Sequence, residues 1–394
     1  MSKPDALLLA PEAPYPTVGG GALRTASLLA YLARRYTLDV IVFREPRAPD
    51  PAALFPPGLI RDIRVIELPY HSKRLPVRVA RNLVRYLRGR PPLNDRFAGF
   101  GRPVADFLRG RNYELAVVEQ FWCAPYAAQV APHAETLLLD LHNIESVLWS
   151  RAASAEVWPA AAAFRRFARA CRRLERYWFP KYSLLLAASA EDARRVREIA
   201  PGCRPEVYPN AIPLVAPPDR PEQHVLVFSG NLEYHPNISA VRFFRTRIWP
   251  LLRGRWPDLR WRLVGRNPEG VRKYVRDDPR IELGGPVEDA VSELAAAQVV
   301  IVPLLAGSGT RFKIIEAWAA SRAVVSTRLG AEGLPGVDGQ HLLLADEPAE
   351  FAEAVSRLLE SAGERRRLGQ AARALYEQQL TWTAAWSRLE KVGI

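Results

Sequence analysis

Two short apolar runs, joined by a glycine-rich loop and a helical segment, constrain the fold of this chain more than any other stretch. Residues 298–303 (QVVIVP) and 323–327 (AVVST) are rich in β-branched residues, which is typical of strands buried on both faces. The loop between them contains Gly307, Ser308, Gly309 and Thr310. Because parallel strands need a crossover connection, usually a helix, the pattern predicts a βαβ unit within an α/β fold.

The helix of this unit begins with cations, although the helix dipole is positive at that end. Arg311 and Lys313 fall in its predicted first turn, and Glu316 follows one turn later. Cations are unfavourable at a helix N-terminus unless an anion is bound there, and the free N–H groups of the first turn also bind anions. The stretch therefore predicts a phosphate or diphosphate site, with a solvated pair of cations as the alternative.

The alternation of strands and helices runs through the chain twice. At 394 residues the chain exceeds a typical single core, so two domains are expected. Residues 213–221 are rich in proline, which is typical of a semi-rigid connector. We therefore predict one Rossmann-like domain over residues 1–213, a second over residues 214–380 and a terminal helix over residues 381–394.

The first domain offers a second candidate site. Its first predicted strand, residues 6–10, is followed by a loop with Gly19, Gly20 and Gly21 and then by a predicted helix over residues 22–35. Another predicted strand, residues 136–142, ends at His142. Since ligands of open α/β sheets bind at the carboxyl ends of strands, we predict a glycine cradle and a site histidine there. The alternatives are a surface loop and a structural histidine.

The chain is strongly basic, with a formal net charge of +13. Such a surface suits anionic lipids, nucleic acid or phosphorylated substrates, or it reflects a genomic preference for arginine. The predicted helix over residues 77–88 has an apolar face and an arginine-rich face. It lies either on an anionic membrane or on the protein surface with solvated arginines. Trp122, Trp149 and Trp178 likewise belong either to a membrane-facing surface or to the core.

Several kinds of site and partner are not expected. The three cysteines are far apart, and the chain contains no CxxC, HExxH, DxD or GxGxxG motif, so no disulfide framework, metal site or dinucleotide site is predicted. No RNA-binding or DNA-reading motif is present, so we expect no nucleic-acid partner. No apolar run approaches the ~20 residues of a membrane span. We expect a cytoplasmic monomer or homodimer with at most peripheral contact at the inner face of a membrane.

With these features the sequence resembles the retaining GT-B glycosyltransferases of group 1, the GT4-like family. The resemblance covers nearly the whole chain and is most specific at residues 307–317 (GSGTRFKIIEA), where loop, helix and glutamate match in order and spacing. Residues 208–212 (YPNAI) resemble the family's linker, and residues 225–232, 324–327 and 330–334 match further blocks of its second domain. The resemblance implies two Rossmann-like domains facing a central cleft, with the C-terminal helix packed on the N-terminal domain.

The resemblance also implies an activity. A sugar would pass from a nucleotide-diphosphate sugar, UDP- or GDP-linked, to a hydroxyl group of a glycan, a polysaccharide or a lipid-linked acceptor, with retention and without a metal ion or other cofactor. Glu316 would bind the ribose hydroxyls, and His142 would approach the transferred sugar. The implied catalytic residues are His142, Arg311, Lys313 and Glu316. The implied donor-binding residues are Gly19, Gly20, Gly21, Gly230, Asn231, Gly265, Leu283, Gly307, Ser308, Gly309 and Thr310.

Two departures from the family pattern affect these roles. Ser308 stands where the family usually has the first of two glutamates, so the contacts to the sugar hydroxyls do not carry over. Residues 229–237 (SGNLEYHPN) lack the arginine and lysine that usually follow the first strand of the second domain. Because a departing diphosphate needs cationic stabilisation, we expect Arg311 and Lys313 to supply it. The alternatives are a nucleotide-sugar epimerase of the same fold and an inactive partner subunit.

Overall fold

Two parallel β-sheets with helices packed against them organise the chain, which we describe from a computed structural model. The structure describes residues 3–17, 19–72, 74–307 and 311–394. One unit comprises Met1–Pro209 and Trp386–Ile394, and the other comprises Asn210–Ala385. We call them the N-terminal unit and the C-terminal unit. Each has one parallel sheet, so the predicted α/β class with two Rossmann-like domains is confirmed.

The N-terminal unit has a seven-stranded sheet. Its strands are β1 Asp5–Ala10, β2 Thr37–Arg44, β3 Asp62–Glu67, β4 Tyr113–Glu119, β5 Ala134–Leu141, β6 Leu184–Ala187 and β7 Pro205–Val207. They lie in the order β3-β2-β1-β4-β5-β6-β7. Every residue of β1 after the first is buried, as expected for a strand covered on both faces. The strand order reverses between β1 and β4, and ligands of such sheets bind outside the carboxyl ends at this reversal.

The helices of the N-terminal unit include two consecutive ones that are separated by a proline. They are α1 Gly20–Leu32, α2 Leu75–Arg88, α3 Pro92–Arg96, α4 Gly101–Leu108, α5 Ala127–Val130, α6 Glu145–Ser154, α7 Ala160–Trp178 and α8 Ala190–Ile199. Helices α6 and α7 are separate, with residues 155–159 between them. Pro159 directly precedes α7, and a proline biases the residue before it away from helical backbone angles.

The C-terminal unit has a six-stranded sheet. Its strands are β8 Gln223–Ser229, β9 Arg260–Val264, β10 Ile281–Leu283, β11 Ala297–Val302, β12 Val324–Ser326 and β13 Leu343–Leu344, in the order β10-β9-β8-β11-β12-β13. Its helices are α9 His235–Phe243, α10 Trp249–Arg255, α11 Arg272–Val275, α12 Ala290–Ala295, α13 Phe312–Ala319, α14 Pro348–Glu360 and α15 Ala362–Gln379. The predicted βαβ unit is confirmed as β11, α13 and β12, with the two strands paired in parallel. The strand order reverses between β8 and β11.

The end of the chain returns to the N-terminal unit. Helix α16, Trp382–Lys391, crosses the boundary between the units at Trp386. The Tyr31 hydroxyl on α1 donates to the Ile394 carbonyl oxygen at 2.5 Å, and Trp386 Nε1 donates to the Ser27 carbonyl oxygen at 3.1 Å. These contacts add the last residues of the chain to the surface of α1.

The three tryptophans with two predicted alternatives pack against other aromatic rings. Trp122 stacks on Phe97 with 5.9 Å between ring centroids, and Trp149 lies 5.3 Å from Phe167. Trp178 is partly buried against the hydrophobic core of the N-terminal unit. The core alternative is therefore the one observed. Within the described ranges, no helix has both the length and the apolarity to cross a membrane.

Candidate functional site

The carboxyl ends of β4 and β5 carry a buried network of charged side chains. Glu119 ends β4, Asp140 lies next to the end of β5, and His142 follows that strand. Arg24, on α1, donates to both carboxylate oxygens of Asp140, with Nε 2.7 Å from Oδ2, and its Nη1 donates to the Tyr208 carbonyl oxygen at 2.7 Å. Both side chains of the Arg24–Asp140 pair are buried, where either charge alone would be costly. The network therefore fastens α1 to the ends of two strands.

His142, the predicted site histidine, lies against both carboxylates. Its Nε2 is 2.6 Å from Oε2 of Glu119 and 3.4 Å from Oδ2 of Asp140. Burial alone would lower the pKa of His142, but the hydrogen bonds and charges of the two carboxylates raise it to about 9. Burial alone would raise the pKa of Asp140, but Arg24 and His142 lower it to about 2. At neutral pH His142 is therefore an imidazolium, which donates hydrogen bonds and cannot accept a proton.

The predicted glycine cradle lies beside this histidine. Gly19 has a φ of 97°, and α1 begins at Gly20. A methyl group on Gly21 would lie 3.8 Å from Nδ1 of His142 and 3.4 Å from Oε1 of Glu12. The structure therefore brings the three predicted glycines and the predicted histidine together at one end of α1.

Three acidic and imidazole ligand atoms of this network lie close enough to suggest a metal site. One atom each from Glu119, Asp140 and His142 fall within 4.8 Å of one another. Both oxygens of Asp140 are already engaged by the Arg24 guanidinium, whose charge would repel a divalent cation. His142 Nε2 is also at hydrogen-bond distance from Glu119. The group fits an ion-pair network that holds His142 and does not fit a metal centre.

In the C-terminal unit, predicted donor-binding residues lie at the carboxyl ends of the neighbouring strands β8, β9 and β10. Gly230 and Asn231 follow β8, Gly265 follows β9, and Leu283 ends β10. The Gly230 N–H donates to the Val264 carbonyl oxygen at 2.9 Å. A methyl group on Gly265 would lie 1.8 Å from the Gly230 carbonyl oxygen, so only glycine permits the two turns to approach this closely.

Lys313 enters this cluster from α13. Its side chain is buried, with Nζ 2.9 Å from Oδ1 of Asn237 and 4.0 Å from the centroid of the Phe228 ring. A methyl group on Gly230 would lie only 3.0 Å from Nζ. The ammonium group therefore lies beneath the turn that follows β8. The alternative of two solvated cations is excluded for Lys313, which is 9% exposed.

The charge of Lys313 has little compensation. Within the described part of the chain, Lys313 forms no ion pair with a carboxylate. Burial lowers its pKa, the nearby Arg311 charge lowers it further, and Glu316 opposes the shift, which leaves the pKa at about 7. A buried ammonium with a neutral amide and an aromatic ring as its neighbours would be stabilised by an anion.

Arg311 and Gly307 lie at the start of α13. Arg311 directly precedes the helix, and a methyl group on Gly307 would lie 2.6 Å from Nη2 of Arg311. Gly307 has a φ of 126°, which favours glycine. The predicted site residues Ser308, Gly309 and Thr310 lie outside the described residues.

Glu316 lies one turn after Lys313 on α13. Its side chain is partly exposed, in contrast to its neighbours Ile315 and Ala317, which are buried. Burial raises the pKa of Glu316 to about 7, with Lys313 opposing and Asp289 adding to the shift. The carboxyl group is therefore poised to bind hydrogen-bond donors at the surface of the site.

Sequence reasoning missed four residues that complete these two clusters. They are Glu12, Arg24, Gln120 and Asn237, and Nε2 of Gln120 would lie 3.7 Å from a methyl group on Gly21. Arg24 is one of many arginines and has no motif around it, and Glu12 and Gln120 belong to irregular segments. Asn237 had a usable signal, since it lies in the segment after β8 where the expected cations are absent. Its side chain links the Asn231 carbonyl oxygen, at 2.8 Å, to Lys313.

We predict that Lys313→Met stabilises the C-terminal unit below pH 7 and that the gain shrinks as the pH rises toward 10.5. Between these values the unfolded chain binds more protons than the folded chain, because the pKa of Lys313 falls from 10.5 to about 7 on folding. The wild-type free energy of unfolding therefore rises with pH, and methionine removes this contribution. Thermal midpoints of both proteins across this range measure the effect.

The exposed Lys273 provides the control, because Lys273→Met should leave the midpoint unchanged at every pH. A Lys313→Met protein that is less stable than wild type below pH 7 would contradict the buried, poorly compensated charge.

The sequence of the C-terminal unit matches a known family. Residues 223–361 match the family described as "Glycosyl transferases group 1". The matched range runs from β8 to the end of α14 and contains both Lys313 and Glu316.

One curated relative is similar over a shorter range. It is an uncharacterized 44.6 kDa protein in the cps region of Klebsiella pneumoniae, 26% identical over 136 residues. The alignment covers 32% of this chain and 35% of the relative, so the chain spans about a third of that relative's length.

Solved structures share the fold over nearly the whole chain. Sucrose-phosphate synthase from Thermosynechococcus elongatus has a TM-score of 0.76 at 16% identity, with 98% of each chain covered. HepE from Anabaena, in complex with UDP-glucose, has a TM-score of 0.65 at 14% identity, with 98% of each chain covered. A TarM mutant from S. aureus, in complex with UDP, has a TM-score of 0.70 at 9% identity, covering 98% of this chain and 99% of that one. The predicted GT-B architecture is confirmed.

Proposed function

We propose that this chain, whose residues 223–361 match the glycosyl transferases group 1 family, transfers a sugar from a nucleotide-diphosphate sugar to a hydroxyl group of an acceptor. The observation that carries the proposal is the buried Lys313 ammonium beneath the turn after β8, with Glu316 one turn further along α13. We propose a GT4-like enzyme that acts with retention and without a metal ion.

Lys313 is the residue that we assign to the diphosphate. A diphosphate close to this ammonium would raise the pKa of Lys313 back toward its ordinary value and accept a charge-assisted hydrogen bond from it. The lysine also lies next to Gly230, at the start of the segment where the arginine and lysine typical of the family are missing. We therefore propose that a cation from α13 replaces that pair, with Arg311 and the helix N-terminus adding positive potential.

Glu316 is the residue that we assign to the ribose. An ionised carboxylate accepts hydrogen bonds from two neighbouring hydroxyl groups. With a pKa near 7, Glu316 is largely ionised only above neutral pH in the empty site, and two hydroxyl donors would favour its ionised form. Gly230, Asn231, Gly265 and Leu283 supply backbone and apolar surface for the rest of the nucleotide.

His142 is assigned to the transferred sugar. Since its imidazolium donates hydrogen bonds at neutral pH, it orients a sugar hydroxyl and does not act as the general base. In the proposed reaction the acceptor oxygen attacks the anomeric carbon on the face from which the diphosphate leaves. The bond from that carbon to the phosphate oxygen breaks, and a phosphate oxygen takes the acceptor proton.

The proposed donor and acceptor classes draw on the relatives. HepE and TarM were both crystallised with UDP or a UDP-sugar, which supports a UDP-linked donor, with GDP-linked donors as the second choice. The relative in the cps region of Klebsiella pneumoniae supports an envelope polysaccharide or its lipid-linked precursor as acceptor.

We predict that Lys313→Met and Glu316→Gln weaken binding in different ways. Lys313→Met should weaken both UDP and inorganic diphosphate roughly 10- to 100-fold, as expected for a lost hydrogen bond between charged groups. Glu316→Gln should weaken UDP and leave inorganic diphosphate unchanged, because only UDP has the ribose. Calorimetric titration measures both ligands, with Lys273→Met as the control.

A screen of UDP-, GDP-, ADP- and CMP-sugars with added acceptors then identifies the reaction. Transfer to an acceptor with the anomeric configuration kept supports the proposal. Interconversion of the donor alone would instead identify an epimerase, and a protein that binds none of these donors would fit an inactive partner subunit.

We also predict that Glu119→Gln shifts the alkaline limit of transfer to lower pH. The charge of Glu119 helps to raise the pKa of His142 from 6.5 to about 9. The ion pairs of the imidazolium therefore stabilise the folded state fully below pH 6.5, and this contribution is lost as the pH rises through about 9. In the variant the pKa of His142 is lower, so His142 should lose its proton at a lower pH. The pH profile of kcat/KM measures the shift. Glu114, on the same strand, has an exposed side chain, and Glu114→Gln should keep the wild-type profile. An unchanged profile for Glu119→Gln would contradict the role of His142.

A further inference from the structure

Helix α2 turns its apolar side outward, which is the reverse of a normal surface helix. Its large apolar side chains are between 45% and 64% exposed, and they are Leu75, Val77, Val79, Leu83, Val84 and Leu87. On the opposite side two arginines contact the protein: Arg85 is buried, with Nε 2.9 Å from Oδ2 of Asp95, and the partly buried Arg81 donates to the Ser72 carbonyl oxygen at 3.3 Å. An amphipathic helix normally buries its apolar stripe in the protein core. An exposed stripe of this kind marks a surface that binds a partner or a membrane.

The orientation of α2 is held by defined contacts at its end. Gly89 closes the helix with a φ of 61°. Arg166, on α7, donates from Nε to the Tyr86 carbonyl oxygen at 2.6 Å and from Nη2 to the Leu87 carbonyl oxygen at 2.9 Å. These bonds satisfy carbonyl groups that the last helical turn leaves unpaired. The contacts with Arg166 therefore hold α2 in the orientation that exposes its apolar face.

The charge beside this face indicates the partner. Arg166 belongs to a row of arginines on α7 that line an open cavity of about 390 Å³, and the row comprises Arg166, Arg169, Arg172, Arg173 and Arg176. In the described part of the chain, none of these five forms an ion pair with a carboxylate. Arg74, Arg78 and Arg88 of the α2 region are exposed as well. An apolar face bordered by a row of arginines is complementary to an anionic lipid bilayer, with acyl chains for the leucines and phosphates for the arginines.

The segment before α7 adds a further interfacial residue. Val157 and Trp158 are 78% and 82% exposed. Tryptophan is enriched at membrane interfaces, where its ring lies at the level of the headgroups. The exposed ring of Trp158 is therefore available for an interface of this kind.

We propose that α2 inserts its apolar face into the surface of an anionic membrane while the arginine row of α7 binds the lipid phosphates. The apolar face is that of a helix lying in the interface and not that of a spanning helix. This docking is independent of the sugar-transfer chemistry proposed above, because none of these residues belongs to the sites at β4, β5 or β8.

The test uses the full chain and sedimented vesicles. Wild-type protein should pellet with vesicles of phosphatidylcholine and phosphatidylglycerol in equal parts, and much less with phosphatidylcholine alone. The double substitution Leu83→Asp with Leu87→Asp should weaken binding to the anionic vesicles roughly 100-fold or more, since both leucines would lose their burial among the acyl chains. Val337→Asp changes an equally exposed residue of the C-terminal unit and should bind as wild type.

A second variant tests the arginines separately. Arg169→Gln with Arg173→Gln should weaken binding to the anionic vesicles about fivefold for each arginine and should leave the weak binding to phosphatidylcholine unchanged. Since these positions are on the surface, all variants should keep the wild-type thermal midpoint.

Two results would overturn the proposal. One is equal binding of the wild type and the double leucine variant to anionic vesicles. The other is a wild-type dimer in solution that the leucine variant converts to a monomer, which would assign the apolar face to a second copy of the chain.

Discussion

A lysine ammonium taken out of water is unfavourable, and the C-terminal unit is built around one. Lys313 has a neutral amide and a phenyl ring as its described neighbours, and the nearby Arg311 charge disfavours its protonation further. Such a charge persists where a ligand compensates it. Gly230 and Gly265 have no side chains, so their two turns approach closely and leave room for a ligand near the ammonium. An anion bound at the end of β8 would recover the stability that this charge costs.

The N-terminal unit treats its buried charges in the opposite way. Arg24, Asp140, His142 and Glu119 alternate in sign and pair with one another through hydrogen bonds. This network raises the pKa of His142 and holds its orientation. The N-terminal unit therefore holds His142 as a hydrogen-bond donor in a fixed orientation, whereas the C-terminal unit holds a poorly compensated charge at Lys313. These properties fit the proposed roles, in which His142 orients the sugar and Lys313 binds the diphosphate.

The sequence predicted the parts of this arrangement that depend on local pattern. Apolar runs, glycines and the order of β11, α13 and β12 gave the two parallel sheets, because burial on both faces leaves a continuous apolar signal. The structure also places Gly21 beside His142, as their positions at strand ends suggested. The orientation of a helix and the contacts of a buried side chain could not be predicted from the pattern. Periodicity shows that α2 has two faces and does not show which one is buried, and nothing near Lys313 in the sequence reveals that it reaches Asn237.

Proton uptake on nucleotide binding tests the central claim most directly. At pH 8 the Lys313 amine is mostly neutral in the empty site, since its pKa is about 7, and a bound diphosphate should charge it. Calorimetric titration of UDP in two buffers of different ionisation enthalpy counts the protons. We expect the wild type to take up a large part of one proton at saturating UDP, and Lys313→Met to take up none. A wild-type binding enthalpy that is the same in both buffers would contradict it.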